Sequence, residues 1–130
     1  MGNDGNGEKS KITYFTDLNA WREAHKLVLM IYGATKEFPR SESFGLVSQM
    51  RRSAVSITSN IAEGFSRRSY KDKGKFYVTA QGSLTELQNQ LLVAKDVGYL
   101  AADEHEKIFS QTVVSHKLIN GLIKSSRKYE

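Results

Sequence analysis

Ser56, Asn60 and Glu63 recur at intervals of four and three residues, and Ser83, Glu86 and Gln90 do the same further along the chain. Such spacing lines side chains along one face of a helix. Two carboxylates brought together across neighbouring helices could divide acid and base roles, with Glu63 and Glu86 as the pair. Yet no Gly-rich phosphate loop, nucleophile elbow or array of His or Lys accompanies them. Metal chemistry finds no better support, because a di-iron bundle needs Glu-x-x-His pairs on facing helices. His25 and His116 have no Glu three positions before them, and His105 has Ala102 there. The absence of Cys removes thiolate ligands, thiol nucleophiles and disulfides. These side chains therefore predict no enzyme, no bound metal and no cofactor. His25, on an apolar line with Trp21, reads as a hydrogen-bonded structural histidine and Trp21 as core.

Cations offer a different chemistry. Arg67, Arg68, Lys71, Lys73 and Lys75 form one burst, and Lys124, Arg127 and Lys128 form a second near the end of the chain. Tyr70, Phe76 and Tyr77 are interleaved with the first burst, a composition suited to phosphate contact and base stacking. The second group complements a helix C-terminus. Lys71, Lys73 and Lys75 have no such excuse, since a helix dipole disfavours cations in its first turns.

Four stretches of apolar residues spaced by three and four position these groups. Leu18 to Thr35, Leu46 to Ile61, Tyr77 to Ala94 and Ile108 to Ile123 each read as an amphipathic helix. Pro39 and the serines after it stop the first, Gly64 with Ser66 and Ser69 separates the second from the third, and Gly98 ends the third. Ser69 and Asp72 have the spacing of a capping box. The resulting helices run over 17–38, 44–65, 70–98 and 102–127. Short connections force sequential helices antiparallel, so the predicted fold is all-α, an antiparallel up-down-up-down four-helix bundle over 14–130. Residues 1–13, rich in Gly, Asn and charge, read as a mobile N-terminal tail.

The chain has 130 residues, of which 39% are hydrophobic and 25% charged, which suits one domain. Its longest apolar run, Leu27 to Tyr32, is too short to span a membrane, and no signal peptide precedes it. A cytoplasmic protein is the expectation. The formal charge is +5 and is unevenly distributed. In the predicted bundle the start of helix 1, the junction of helices 2 and 3 and the end of helix 4 share one pole. That pole collects ten cations against six anions, whereas the opposite pole is net acidic. A polyanion is a natural partner for the basic end.

The opening seam also carries a family resemblance. Phe15-x-Asp17-Leu18 with Trp21, Phe38-Pro39-x-x-Glu42-x-Phe44-Gly45-Leu46-x-x-Gln49, Ser56-x-x-x-Asn60-Ile61-Ala62-Glu63-Gly64 and Ala80-x-Gly82-Ser83-Leu84-x-Glu86-Leu87 resemble the 23S ribosomal RNA intervening-sequence protein family, also called the four-helix bundle protein family. The likeness covers about residues 14–100, and the segment from Ser56 to Gly64 is its most specific part. Members are similar to the accessory protein of diversity-generating retroelements, a basic bundle that forms a pentameric ring and works with nucleic acid and a reverse transcriptase. The resemblance thus implies a homo-oligomer, with a pentamer preferred, and a partner that is nucleic acid, RNA above all. A reverse transcriptase or another acidic protein is the further partner it suggests.

Ser56, Asn60, Glu63, Gly64, Ser83 and Glu86 are left with three readings: a solvated face, a contact between helices or subunits, or a ligand site. Two functions of different class follow for the whole. One is a non-enzymatic oligomer whose basic pole binds RNA as an accessory factor, through Arg67, Arg68, Lys71, Lys73, Lys75, Lys124, Arg127 and Lys128. The other is a protein-interaction scaffold with no direct nucleic-acid role.

Overall fold

A computed structural model describes residues 11–129. Four helices follow one another: α1 (Asn19–Thr35), α2 (Leu46–Ser66), α3 (Tyr70–Asp96) and α4 (Ala102–Lys128), with 3-10 turns at Phe15–Asp17 and Arg40–Glu42. Among the described residues there is no strand. The predicted tail lies, as far as residue 10, outside the described residues.

Neighbouring helices run in opposite directions, as side-chain register shows. Ser56 of α2 meets Ser83 of α3, while further along α2 the backbone of Gly64 lies against Phe76 and Tyr77, earlier in α3. Gln88 of α3 bonds Thr112 of α4, and Gly74, nearer the start of α3, lies against Ser126, nearer the end of α4. Gln111 of α4 reaches Glu23 at the start of α1. Helix α1 packs on both α2 and α4, which closes the bundle. The core it encloses is lined by Leu27 and Ile31 from α1, Met50, Ile57 and Ile61 from α2, Leu84, Leu87 and Leu91 from α3, and Ile119 from α4, all essentially without solvent contact.

Helix α1 is shorter than the apolar period implies, starting at 19 and ending at 35 where 17 and 38 are predicted. At its start the carboxylate of Asp17 accepts the backbone N–H groups of Thr13 and Tyr14 at 2.9 and 3.0 Å, which closes a separate turn and leaves Leu18 extended. Those two bonds hold the Asp17 carboxyl below its ordinary value of 3.8. At its end, Pro39 disfavours helical geometry at Phe38, so the chain leaves the helix in a loose turn. Glu42 then organises the entry to α2. One carboxylate oxygen accepts the N–H of Leu46 at 3.0 Å and the other accepts the Tyr99 hydroxyl at 2.9 Å.

The other punctuation matches its residue types. Ser69 Oγ accepts the N–H of Asp72 at 3.1 Å and starts α3 at Tyr70. Gly98, with φ at 87°, supplies the left-handed residue that ends α3, and the N–H groups of Gly98 and Tyr99 satisfy the carbonyls of Lys95 and Ala94. Ala101 gives α4 no side-chain cap.

Candidate nucleic-acid interface

The antiparallel order brings the end of α2, the start of α3 and the end of α4 to one end of the bundle. Lys71, Gly74, Lys75 and Val78 of α3 and Ile123, Ser126 and Arg127 of α4 line a single groove of about 400 Å³ there. Among the described residues this end carries Lys11, Arg67, Arg68, Lys71, Lys73, Lys75, Lys124, Arg127 and Lys128 against Asp17, Glu63 and Asp72. Lys9, Asp4, Glu8 and Glu130, which also count toward the predicted pole, lie outside the described residues.

The eight predicted contact residues are not equivalent. Arg68, Lys71, Lys75, Lys124, Arg127 and Lys128 are exposed. Arg67 is held by Glu63 at 2.8 Å, one helical turn before it, and lies 4.5 Å from the centre of the Phe76 ring. Lys75 pairs loosely with Asp72 at 4.0 Å. Among the described residues Arg68, Lys71, Lys124 and Arg127 have no ion-pair partner.

Lys73 has a different task. Its ammonium donates to the backbone oxygen of Phe65 at 2.6 Å and lies over the Phe65 ring. It therefore caps the end of α2 from the first turns of α3, and burial pulls its pKa down from 10.5. The unfavourable dipole of α3 is offset by the favourable one of its antiparallel neighbour. A cation in the start of α3 has, at this position, a structural reason.

The aromatic residues also separate. Tyr77 is buried in the core, and burial raises its phenol above the ordinary value. Phe76 is half-buried beneath Arg67. Tyr70 is exposed and packs against Tyr129, the ring centres 5.2 Å apart. Tyr129, Val78 and Gly74 escape sequence reasoning, because the pairing of α3 with α4 alone brings Val78 and Gly74 to the groove and Tyr129 to Tyr70.

The seam between α2 and α3 resolves into two parts. Ser56 Oγ and Ser83 Oγ lie 2.8 Å apart, and the Asn60 amide donates to the Ser56 backbone oxygen at 2.8 Å and to its hydroxyl at 3.2 Å. The hydroxyl pair ties helix to helix, which is the interhelix alternative of the three, while Asn60 braces Ser56 from within α2. Glu63 and Glu86 are exposed and paired with arginines, Glu63 with Arg67 one turn along the chain and Glu86 across the helices with Arg52 of α2 at 3.5 Å. Because Ser83 faces Ser56 and Phe76 faces Gly64, Glu86 and Glu63 lie about ten helical residues apart, or ~15 Å along the bundle. They do not form an acid/base pair. Gly64 is buried and gives the close approach of α2 to α3. Ser53, three residues before Ser56, is fully buried where α2 is flanked by α1 and α3. His25 stacks flat on Trp21, with ring centres 4.6 Å apart. Among the described residues no cluster of His, Asp and Glu could hold a metal ion, and no helix is long and apolar enough to cross a membrane.

Fold and surface together define an all-helical bundle with one strongly cationic end. The chain belongs to the family of 23S rRNA-intervening sequence proteins, whose model matches residues 16–121. Among solved structures it is similar to a protein of unknown function from the S23 ribosomal protein family of Bacteroides thetaiotaomicron VPI-5482, with 21% sequence identity and a TM-score of 0.74. The match covers 81% of this chain and 95% of the other, and at that identity it speaks for the fold. No curated protein matches the sequence.

Proposed function

We propose that this protein is a non-enzymatic accessory factor of the cytoplasm that binds RNA through the basic end of its bundle. The observation behind the proposal is the convergence of Arg68 from the α2–α3 connection, Lys71 from α3, and Lys124 and Arg127 from α4 on one end, exposed and without ion-pair partners among the described residues. Cations held apart from carboxylates keep their charge available for phosphates. Arg67, Lys75 and Lys128 add to the field, and Lys73 holds the surface in shape. The family's description, which names an intervening sequence of 23S rRNA, supports RNA as the polyanion.

Assembly into a homo-oligomer, with a pentameric ring preferred, belongs to the same proposal. Phe44 supports it, because this phenylalanine, 98% exposed, lines one groove with the exposed Tyr32 and Val55, and a contiguous apolar patch of that kind suits a contact with a second copy. A ring would present several basic ends to one strand and steepen the salt dependence of binding.

The test is a charge-reversal pair measured by fluorescence anisotropy with labelled RNA. Arg67→Glu/Arg68→Glu/Lys71→Glu should lower affinity by at least about tenfold and flatten a log-log salt slope of roughly −0.7 to −0.9 per neutralised phosphate. Reversal of Lys36, Lys95 and Lys107, at the opposite end, should have a much smaller effect. Equal losses in both variants, or no RNA binding by the wild type at low salt, would favour instead a scaffold for an acidic protein such as a reverse transcriptase.

A further inference from the structure

The groove between the start of α3 and the end of α4 points beyond charge alone. Its floor is apolar, formed by Val78, which is 50% exposed, and by Ile123. Its walls carry Lys71 and Lys75 on one side and Arg127 on the other. The groove exists because α3 and α4 approach closely at Gly74, where even a methyl group would lie 2.8 Å from Ser126 Oγ. Beside it, residues flanking the same two helix ends supply the exposed Tyr70 and Tyr129 rings in mutual contact, with the Lys128 ammonium over Tyr129.

Resting on the basic-pole function proposed above, we infer that this groove takes an unpaired nucleotide, so that the protein binds single-stranded RNA in preference to duplex. A cation cluster by itself favours the duplex, whose phosphates are more densely spaced. A duplex, however, keeps its base faces stacked inside and can offer the apolar floor nothing. An unpaired nucleotide places its phosphate between the wall cations and its base against Val78 and Ile123. The neighbouring tyrosine pair presents π-faces to the next base, the combination of cationic track and aromatic platform that single-strand binders use. The volume of about 400 Å³ accommodates one nucleotide. Lys73, turned away to Phe65, takes no part.

The experiment compares a short, unstructured, fluorescein-labelled oligoribonucleotide with its blunt-ended duplex at the same salt concentration. The single strand should bind more tightly. Val78→Gln, which keeps the charge and changes an exposed side chain, should weaken single-strand binding about fivefold by removing apolar contact with the base, and leave duplex binding unchanged. Circular dichroism should show unaltered helicity. Duplex binding as tight as single-strand binding, or a Val78→Gln effect that is absent or the same on both ligands, overturns the inference and leaves the basic-pole function intact. Failure of the wild type to bind either ligand at low salt overturns both.

Discussion

Gly64→Ala isolates the contact that sets the spacing of α2 and α3. A Cβ at this position would lie 2.7 and 3.0 Å from ring carbons of Tyr77 and 3.0 Å from the Cβ of Phe76. Ordinary carbon contacts are about 3.5–4.0 Å, so something must move by half an ångström or more. Tyr77 is only 4% exposed and cannot swing into solvent, and Phe76 Cβ is fixed to the backbone of α3. Relief therefore requires the helices to part. Adding a methylene-sized group to a packed core costs about 1–3 kcal/mol, while Ala gains about 1 kcal/mol over Gly in a helix. The balance is a loss of roughly 1 kcal/mol, or a fall in Tm of about 3–6 °C for a chain of this size. Gly33→Ala and Gly121→Ala provide the controls, because nothing lies within 4 Å of a Cβ at either helical site. Both should gain stability from propensity alone, which leaves a gap of ~2 kcal/mol between them and Gly64→Ala. Urea denaturation of all four proteins at one protein concentration measures that gap. If Gly64→Ala proves as stable as Gly121→Ala, α2 and α3 do not approach as closely as described.

Three further perturbations address the seam, the acid limb and the capping lysine. A double-mutant cycle with Ser56→Ala and Ser83→Ala should give a coupling energy of about 0.5–1.5 kcal/mol, and additive losses would deny the hydroxyl pair. Glu23 is held below its ordinary 4.5 by the Gln111 amide and by Lys26, so its contribution is complete above that value and is lost as pH falls through the lower folded value. Glu23→Gln should accordingly flatten the acid side of the stability curve, as followed by urea midpoints between neutral pH and pH 3, and an unchanged curve would remove Glu23 from acid unfolding. Lys73→Gln should lower stability by about 1 kcal/mol yet leave RNA affinity within about twofold, whereas Lys71→Gln should do the reverse. Loss of RNA affinity on Lys73→Gln without loss of stability would return Lys73 to the contact surface.

The four helices are legible in the sequence because their apolar periods, Ser69 and Gly98 all act locally. Gly98 ends α3 through its own backbone angle, and Ser69 starts it through its own hydroxyl. Asp17 shows where locality is deceptive: its carboxylate bonds backward to Thr13 and Tyr14, so a turn forms where the apolar spacing predicts helix. Lys73 shows what a single helix cannot tell. Its own dipole makes it a misfit, and only the neighbouring end of α2 explains it. The same holds for the candidate site. Its charges could be assigned to one end from topology, but Tyr129 finds Tyr70 only through packing.

The Gln111 amide reaches the Glu23 backbone oxygen at 2.8 Å across 88 positions of the chain. Helices α2 and α3, by contrast, meet across a connection of residues 67–69, and α3 meets α4 across 97–101. Closing the longer loop costs more chain entropy than either hairpin. Either terminal helix, α1 or α4, can thus detach by giving up that closure while the other three remain a consecutive unit. Amide exchange at Leu27 and Ile31, deeply buried as they are, would then report detachment of one helix and not the unfolding of the whole.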